Sequence, residues 1–271
     1  MKPNGYILFE GASLLDGAPI AVIITGTSGR GSSNTKTGAM LQTWIIRTDL
    51  DPITANRTGA DYSICGACPL RGTANPAKQS GLAEGRGCYV QIGQAPAAVY
   101  KAYKAGKYPR AIVYGGLFFP PTVARTGGDC IGKGQRVRIG SYGDPAAVPG
   151  DVWERLVKFS AGWTGYTHQL NTEGAQALPE FMMISADTEG QARASWRKGY
   201  RTFRIVPDTE AVVKGSEVIC PATPEGGSKA TCVTCGLCRG AVAGGKSVAV
   251  VAHGAGKKHA SQLATLTGRV A

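Results

Sequence analysis

Three thiols within seven residues constrain this chain more than any other feature of its sequence. Cys232-Val233-Thr234-Cys235-Gly236-Leu237-Cys238 is C-x2-C-x2-C. Sulfurs spaced this closely do not pair neatly as disulfides, but a turn at each x2 aims successive sulfurs at one centre. Cys220 stands twelve residues upstream and is followed by Pro221. C-x2-C-x2-C with a remote Cys-Pro matches the ferredoxin-type arrangement for a [4Fe–4S] cluster. A structural zinc ordinarily takes two C-x2-C knuckles, so zinc is the alternative. A second group, Cys65-Gly66-Ala67-Cys68-Pro69 followed by Cys88-Tyr89, offers three more thiols, either for a second centre or for one shared with the late group. Cys130 is an available fourth ligand, although a lone cysteine more often behaves as a small buried hydrophobe. Three thiolates that leave an iron open are how radical SAM enzymes hold S-adenosylmethionine. Their C-x3-C-x2-C spacing is absent, so that cofactor is only a secondary expectation.

The thiols gain meaning from their compartment. The N-terminal Met1-Lys2-Pro3-Asn4-Gly5 runs into Tyr6-Ile7-Leu8-Phe9-Glu10, a poor signal peptide. No run of 18 apolar residues provides a membrane span. The expectation is a cytoplasmic protein with no membrane partner, where eight cysteines favour metal over disulfides.

Hydrophobic residues make up 43% of the 271 residues, enough to bury a core, and no linker or repeat divides the chain. We read residues 1–271 as a single domain with a cysteine-rich metal-binding segment at 214–245. Runs rich in Val, Ile, Tyr, Phe and Trp predict strands at 20–25, 41–47, 111–114, 136–141, 162–168, 181–185, 200–206 and 247–252. Helical spacing predicts helices at 97–105, 150–160 and 189–198. Strand, loop, helix, strand is the grammar of an α/β protein with a mainly parallel sheet. About eight strands in this length suit a (β/α) barrel, complete or partial, with an open doubly wound sheet as the fallback. Asp144, His168 and Asp187 each follow a predicted strand, where barrels carry their chemistry, so they are candidate catalytic residues. Asp144 could equally cap the helix that follows it.

The net charge of +12 points to a polyanionic partner, DNA or RNA. Arg193, Arg197, Lys198, Arg201 and Arg204 lie close together without an acid, interleaved with Trp196, Tyr200 and Phe203. Lys101 and Lys104 alternate with Tyr100 and Tyr103 in a second acid-free stretch. Cations of this kind contact phosphates, and aromatics can stack on bases or simply fill the core. The loop from Thr25 to Gly38 looks like a phosphate loop, yet Thr35 stands where a Walker motif needs Gly before the lysine. Arg30 and Lys36 in it are candidate phosphate contacts.

Gly143-Asp144-Pro145, Tyr166-Thr167, Ser185-Ala186-Asp187, Cys220-Pro221-Ala222 with Glu225, the late cysteine triplet and His253-Gly254 together resemble the phage "gene product eighty-eight" family. The likeness covers residues 60 to 254, and its specific part is the cysteine block. Pro145 stands where that family has an aromatic, and Cys65, Cys68 and Cys88 are spaced differently. The resemblance implies a phage or mobile-element protein with a barrel-like fold, distantly similar to radical SAM barrels. The reading from sequence is then a protein with cysteine-ligated iron–sulfur clusters, an enzyme acting on nucleic acid or a nucleotide. Its rivals are a non-enzymatic nucleic-acid-binding protein stapled by zinc or iron–sulfur, and an iron–sulfur redox sensor.

Overall fold

The computed structural model describes residues 3–29, 35–122, 128–254 and 256–267. Arg30 lies outside the described residues.

The chain begins with an antiparallel meander: β1 (Gly5–Ala12), β2 (Pro19–Thr25) and β3 (Leu41–Arg47). β2 is buried along all but its first residue, as its run of Ile, Ala and Val requires. Two short helices follow, α1 (Pro52–Thr58) and α2 (Tyr62–Cys65), then the longer α3 (Ala95–Lys104). Asp51 starts α1 by accepting the N–H groups of Ile53 and Thr54, and Gly59 ends it at a φ of 84°.

Residues 111–114 do not form a strand of a main sheet as their β-rich sequence suggests: Ala111 donates its N–H to Ile7 of β1 at 2.8 Å, and the chain then leaves. β4 (Ile112–Tyr114) pairs only with β5 (Leu117–Phe119) as a surface hairpin, with Val113 and Tyr114 exposed. Gly115 and Gly116, both at positive φ, supply the two-residue turn that local pairing needs.

The remaining elements are β6 (Arg136–Tyr142), α4 (Gly150–Val157), β7 (Gly162–Thr164), β8 (Tyr166–Thr167), β9 (Met183–Ala186), α5 (Glu189–Arg197), β10 (Thr202–Val206), β11 (Glu217–Ile219), α6 (Cys232–Cys235), β12 (Ser247–Val251) and α7 (Lys257–Thr267). α4 buries Val152, Trp153, Leu156 and Val157, the face its periodicity marks.

Two five-stranded sheets result, ordered β1-β2-β3-β6-β7 and β11-β12-β10-β9-β8. From β3 onward every pairing in them is parallel. One run of chain, residues 162–167, serves both sheets. Its first half pairs with β6 and its second half with β9. Gly165 links the halves, and its carbonyl accepts the N–H of Met183 at 2.8 Å. The strands therefore form one continuous arc. Among the described residues no pairing joins its ends, β1 and β11, so a complete barrel is not formed. Nor is any described helix long and apolar enough to cross a membrane.

Candidate functional site

Side chains alternate across a strand, so one face of the arc presents every second residue. Arg138 and Gly140 of β6, Thr164 and Tyr166 of β7 and β8, Phe203 and Ile205 of β10, and Val248 and Val250 of β12 all face one cavity of about 390 Å³. That volume suits a small molecule or a single nucleotide. The short helices α2 and α6 and the loops around them bring the thiols to the cavity wall. Cys65, Cys68 and Cys88 line it, as do Cys220, Cys232, Cys235 and Cys238. All are free thiols. The two cysteine groups, far apart in sequence, thus share one chamber. Cys130 is not part of its wall.

Each cysteine is delivered by local structure. Cys220 continues from β11 and donates its N–H to Ala249 at 2.8 Å. α6 carries Cys232 and Cys235, and its first N–H groups find carbonyls on the glycine-rich loop: Cys232 donates to Lys36 and Val233 to Thr37. The end of that loop therefore anchors the cysteine helix. Gly236, in the left-handed region, closes α6 and turns the chain toward Cys238. In the early group, the N–H groups of Gly87 and Cys88 both donate to Leu70, which brings the third thiol to the Cys65–Cys68 turn.

The thiols also act on one another. Burial and then the neighbouring Asp61, Cys68 and Cys88 push the Cys65 thiol well up. Cys232 is raised by burial, partly offset by Arg138, with Cys220 and Cys235 adding to the rise. Burial lifts Cys238 to about 12, against a hydrogen bond from the Tyr166 hydroxyl, with Cys220, Cys232 and Cys235 pushing the same way. Without a cation, these buried thiols stay protonated at neutral pH.

Among the described residues, no three Cys, His, Asp or Glu side chains stand close enough to hold a metal ion in this arrangement. What fits a metal is the chemistry of the donors. They are soft, free sulfurs, drawn from two segments and gathered on the wall of one buried chamber.

Asp144, His168 and Asp187 line the same cavity. Gly143, at a φ of 84°, makes the turn that brings Asp144 in, and a Cβ there would sit 2.7 Å from the Ile45 side chain. Asp144 Oδ1 accepts the N–H of Ala146 at 3.0 Å, capping the turn after β6. Its Oδ2 accepts the N–H of His168 at 2.8 Å and the Gln169 amide at 3.2 Å. With these N–H groups filling it, the carboxylate positions the His168 loop. Burial raises its pKa, while the N–H groups of His168 and Ala146 hold it down.

His168 Nε2 lies 3.2 Å from Asp187 Oδ1 and 3.9 Å from Cys68 Sγ. Burial works against the charged ring, but Cys68 and Asp187 outweigh it and hold its pKa well above the ordinary value. An imidazolium beside a thiol and a carboxylate can hold or donate a proton.

Several wall residues carried no signal in sequence. Gln169 clamps the early cysteine turn, accepting the N–H of Ala67 and donating to the carbonyl of Cys65. Gly66 permits that contact, since a Cβ would overlap the Gln169 amide. Tyr89, next to Cys88, lines the cavity with both cysteine groups, and burial raises the pKa of its hydroxyl, partly offset by Arg138. Arg138 donates to its hydroxyl and lies over its ring. Their meaning lies in contacts that only the fold makes. Adjacency to a cysteine was the one clue, and it applied to Tyr89 and Gly66 but not to Gln169.

The candidate nucleic-acid residues separate into groups. Lys101 and Lys104 on α3, Arg193 and Arg197 on α5, and Lys198 just after it are exposed, with Arg193 paired to Glu189. Lys36 lines the cavity, with Nζ 3.2 Å from His253 Nε2. Arg201 does not belong with them. It is 7% exposed, and its guanidinium donates to the carbonyls of Lys246 and Leu237. Arg204 is likewise buried, in a bidentate pair with Glu217. The interleaved aromatics are packing residues. Tyr100 and Tyr103 lie on the core, Trp196 bonds Thr202 and Ser247, and Phe203 packs on Tyr166.

No protein-family model, curated protein or solved structure matches the chain.

Proposed function

We propose that this protein is an iron–sulfur enzyme whose thiol-bound centre and substrate share one chamber, with the substrate a nucleotide or a nucleotide unit of DNA or RNA. The fold of this reading is a partial (β/α) barrel, with the concave face of the arc as its lumen. One observation carries it: seven cysteines from two distant segments line the same cavity as His168 and Asp187.

Cys220, Cys232, Cys235 and Cys238 hold the first centre, and Cys65, Cys68 and Cys88 a second. Such a centre supplies electron transfer or an open iron site. The chain's own groups do the rest. Asp144 fixes the His168 loop, His168 carries a proton toward the cavity, and Asp187 stabilises the charged ring. A purely structural zinc would have no use for a chamber beside its ligands, which is why we favour an enzyme. The proposed setting is the cytoplasm of a host cell, as the resemblance to the phage family implies.

Anaerobic purification followed by iron and acid-labile sulfide analysis tests the proposal. Brown protein containing both, and Cys235→Ser protein containing less of each, is the expected result. Colourless wild-type protein with stoichiometric zinc would replace it with the structural reading, and wild-type protein that takes up neither metal would remove both.

A further inference from the structure

We infer that Arg138 is the seat for an oxyanion, a phosphate or carboxylate group, on the molecule that enters the chamber. This deepens the proposed function and rests on its reading of the cavity as a substrate site.

The argument is a charge inventory of the wall. Arg71 is paired with Asp61, through Nε at 3.0 Å and through Nη2. His168 faces Asp187, and Asp144 is filled by N–H donors. Arg86 gives Nη1 and Nη2 to the carbonyls of Cys88 and Val90. Neither Arg86 nor Arg138 has a carboxylate in an ion pair among the described residues, but Arg86 has both Nη groups on carbonyls and Arg138 does not. One Nη2 hydrogen bond of Arg138 goes to the Tyr89 hydroxyl, and its buried Nε has no acceptor. Arg138 is half-buried, and a buried guanidinium N–H left without an acceptor is an unfavourable arrangement that a ligand oxygen would complete. The planar guanidinium fork matches the two oxygens of a phosphate or carboxylate.

Position supports the same conclusion. Arg138 sits mid-strand on the concave face, fixed by β6 pairing on both sides. It stacks on Tyr89, which in turn stacks on His253 at 6.4 Å between ring centroids. Lys36 reaches that histidine from the other side, so a second cation lies near the same end of the chamber. The Lys36 carbonyl accepts the N–H of Cys232 at 2.9 Å, and Lys36, Arg138 and Cys232 line the same cavity, so the oxyanion seat shares its wall with the late cysteine group. A substrate held there by its anionic end would present its remainder to the His168 side.

Isothermal titration of anaerobically purified protein with inorganic phosphate, adenosine monophosphate and acetate tests this, with iron and sulfide measured on every sample. Wild-type protein is expected to bind at least one of the three, and the strongest binder identifies whether the seat takes phosphate or carboxylate. Arg138→Gln should weaken that binding at least tenfold with iron and sulfide unchanged. Arg138→Lys keeps the charge but loses the fork. It should also bind more weakly, and it carries the test if the glutamine variant fails to fold. Tyr89→Phe frees a guanidinium donor and should bind as tightly or more tightly. Absence of oxyanion binding, or equal binding by the Arg138 variants, overturns the inference and leaves the metal reading standing. Loss of iron and sulfide in folded Arg138→Gln protein also overturns it, because Arg138 would then be the counterion of the thiolate centre. Wild-type protein without metal that still binds phosphate through Arg138 would leave the seat intact and the proposed function without its centre.

Discussion

Asp144 Oδ2 accepts the backbone N–H of His168 at 2.8 Å, tying the end of β6 to the end of β8. β6 pairs with β7 and β8 with β9, so this bond ties the two sheets together at the rim of the cavity. Asparagine at 144 keeps one acceptor and puts an NH2 against either the Ala146 N–H or the His168 and Gln169 donors. Asp144→Asn should cost about 1–3 kcal/mol, the desolvation penalty of a buried group left without a partner. Urea unfolding of metal-free protein measures it. An unchanged midpoint would show that this carboxylate does not hold the loop.

His168 supplies a pH signature. Its pKa in the folded chain stands well above 6.5, because Cys68 and Asp187 outweigh burial. A raised pKa adds stability that is fully present below the unfolded value and lost as pH rises through the folded one. The stability gap between metal-free wild type and His168→Gln should therefore be largest below about pH 6.5 and shrink as pH rises. A gap that stays constant with pH would mean that the ring lacks these partners in solution.

The thiols titrate in the opposite chemical sense but with the same sign of linkage. Burial raises Cys238 from 9.0 to about 12 and also raises Cys232, so the folded metal-free chain resists forming thiolates that the unfolded chain forms readily. The thiol contribution to the stability of metal-free protein should be flat below pH 9.0 and fall between there and about pH 12. Cys238→Ala should reduce that alkaline loss. Metal-loaded protein should resist it, because its thiols are already deprotonated. Thermal melts across this range, with and without metal, read the difference.

The parallel grammar was legible because β6, α4 and β7 each carry a clean local period. The same strand ends correctly brought His168 and Asp187 to one rim. β1 was not assigned, since a bulge between Ile7 and Phe9 breaks its alternation. β11 is three residues long and begins with a buried Glu217, whose partner Arg204 is thirteen residues away, so it reads as loop. Residues 162–168 read as one strand, while the structure splits their pairing at Gly165, a choice made by neighbours distant in sequence. The cysteine spacing announced donors for a metal. That both groups share a chamber depends on the order of nine main-sheet strand segments after β1, which no local pattern encodes.

The basic stretch around α5 divides into two kinds of arginine, and that division makes the last prediction. Arg197 and Lys198 are exposed and free to meet phosphates. Arg201, three residues on from Lys198, turns inward and fastens the carbonyls of Lys246 and Leu237. Replacing Arg197 and Lys198 together by alanine should flatten the slope of log affinity against log salt for single-stranded DNA or RNA by up to about two units. The melting temperature should hardly move, because neither side chain is buried. Arg201→Ala should do the reverse. It removes part-buried hydrogen bonds to the Lys246 and Leu237 carbonyls, each worth about 1 kcal/mol, and it leaves the salt slope of the folded protein as it was. Filter binding across a salt series, beside thermal melts of the same samples, separates the two. A flattened slope in folded Arg201→Ala protein would mean that this guanidinium reaches phosphate after all. Salt-independent binding in the wild type would argue against a nucleic-acid partner altogether.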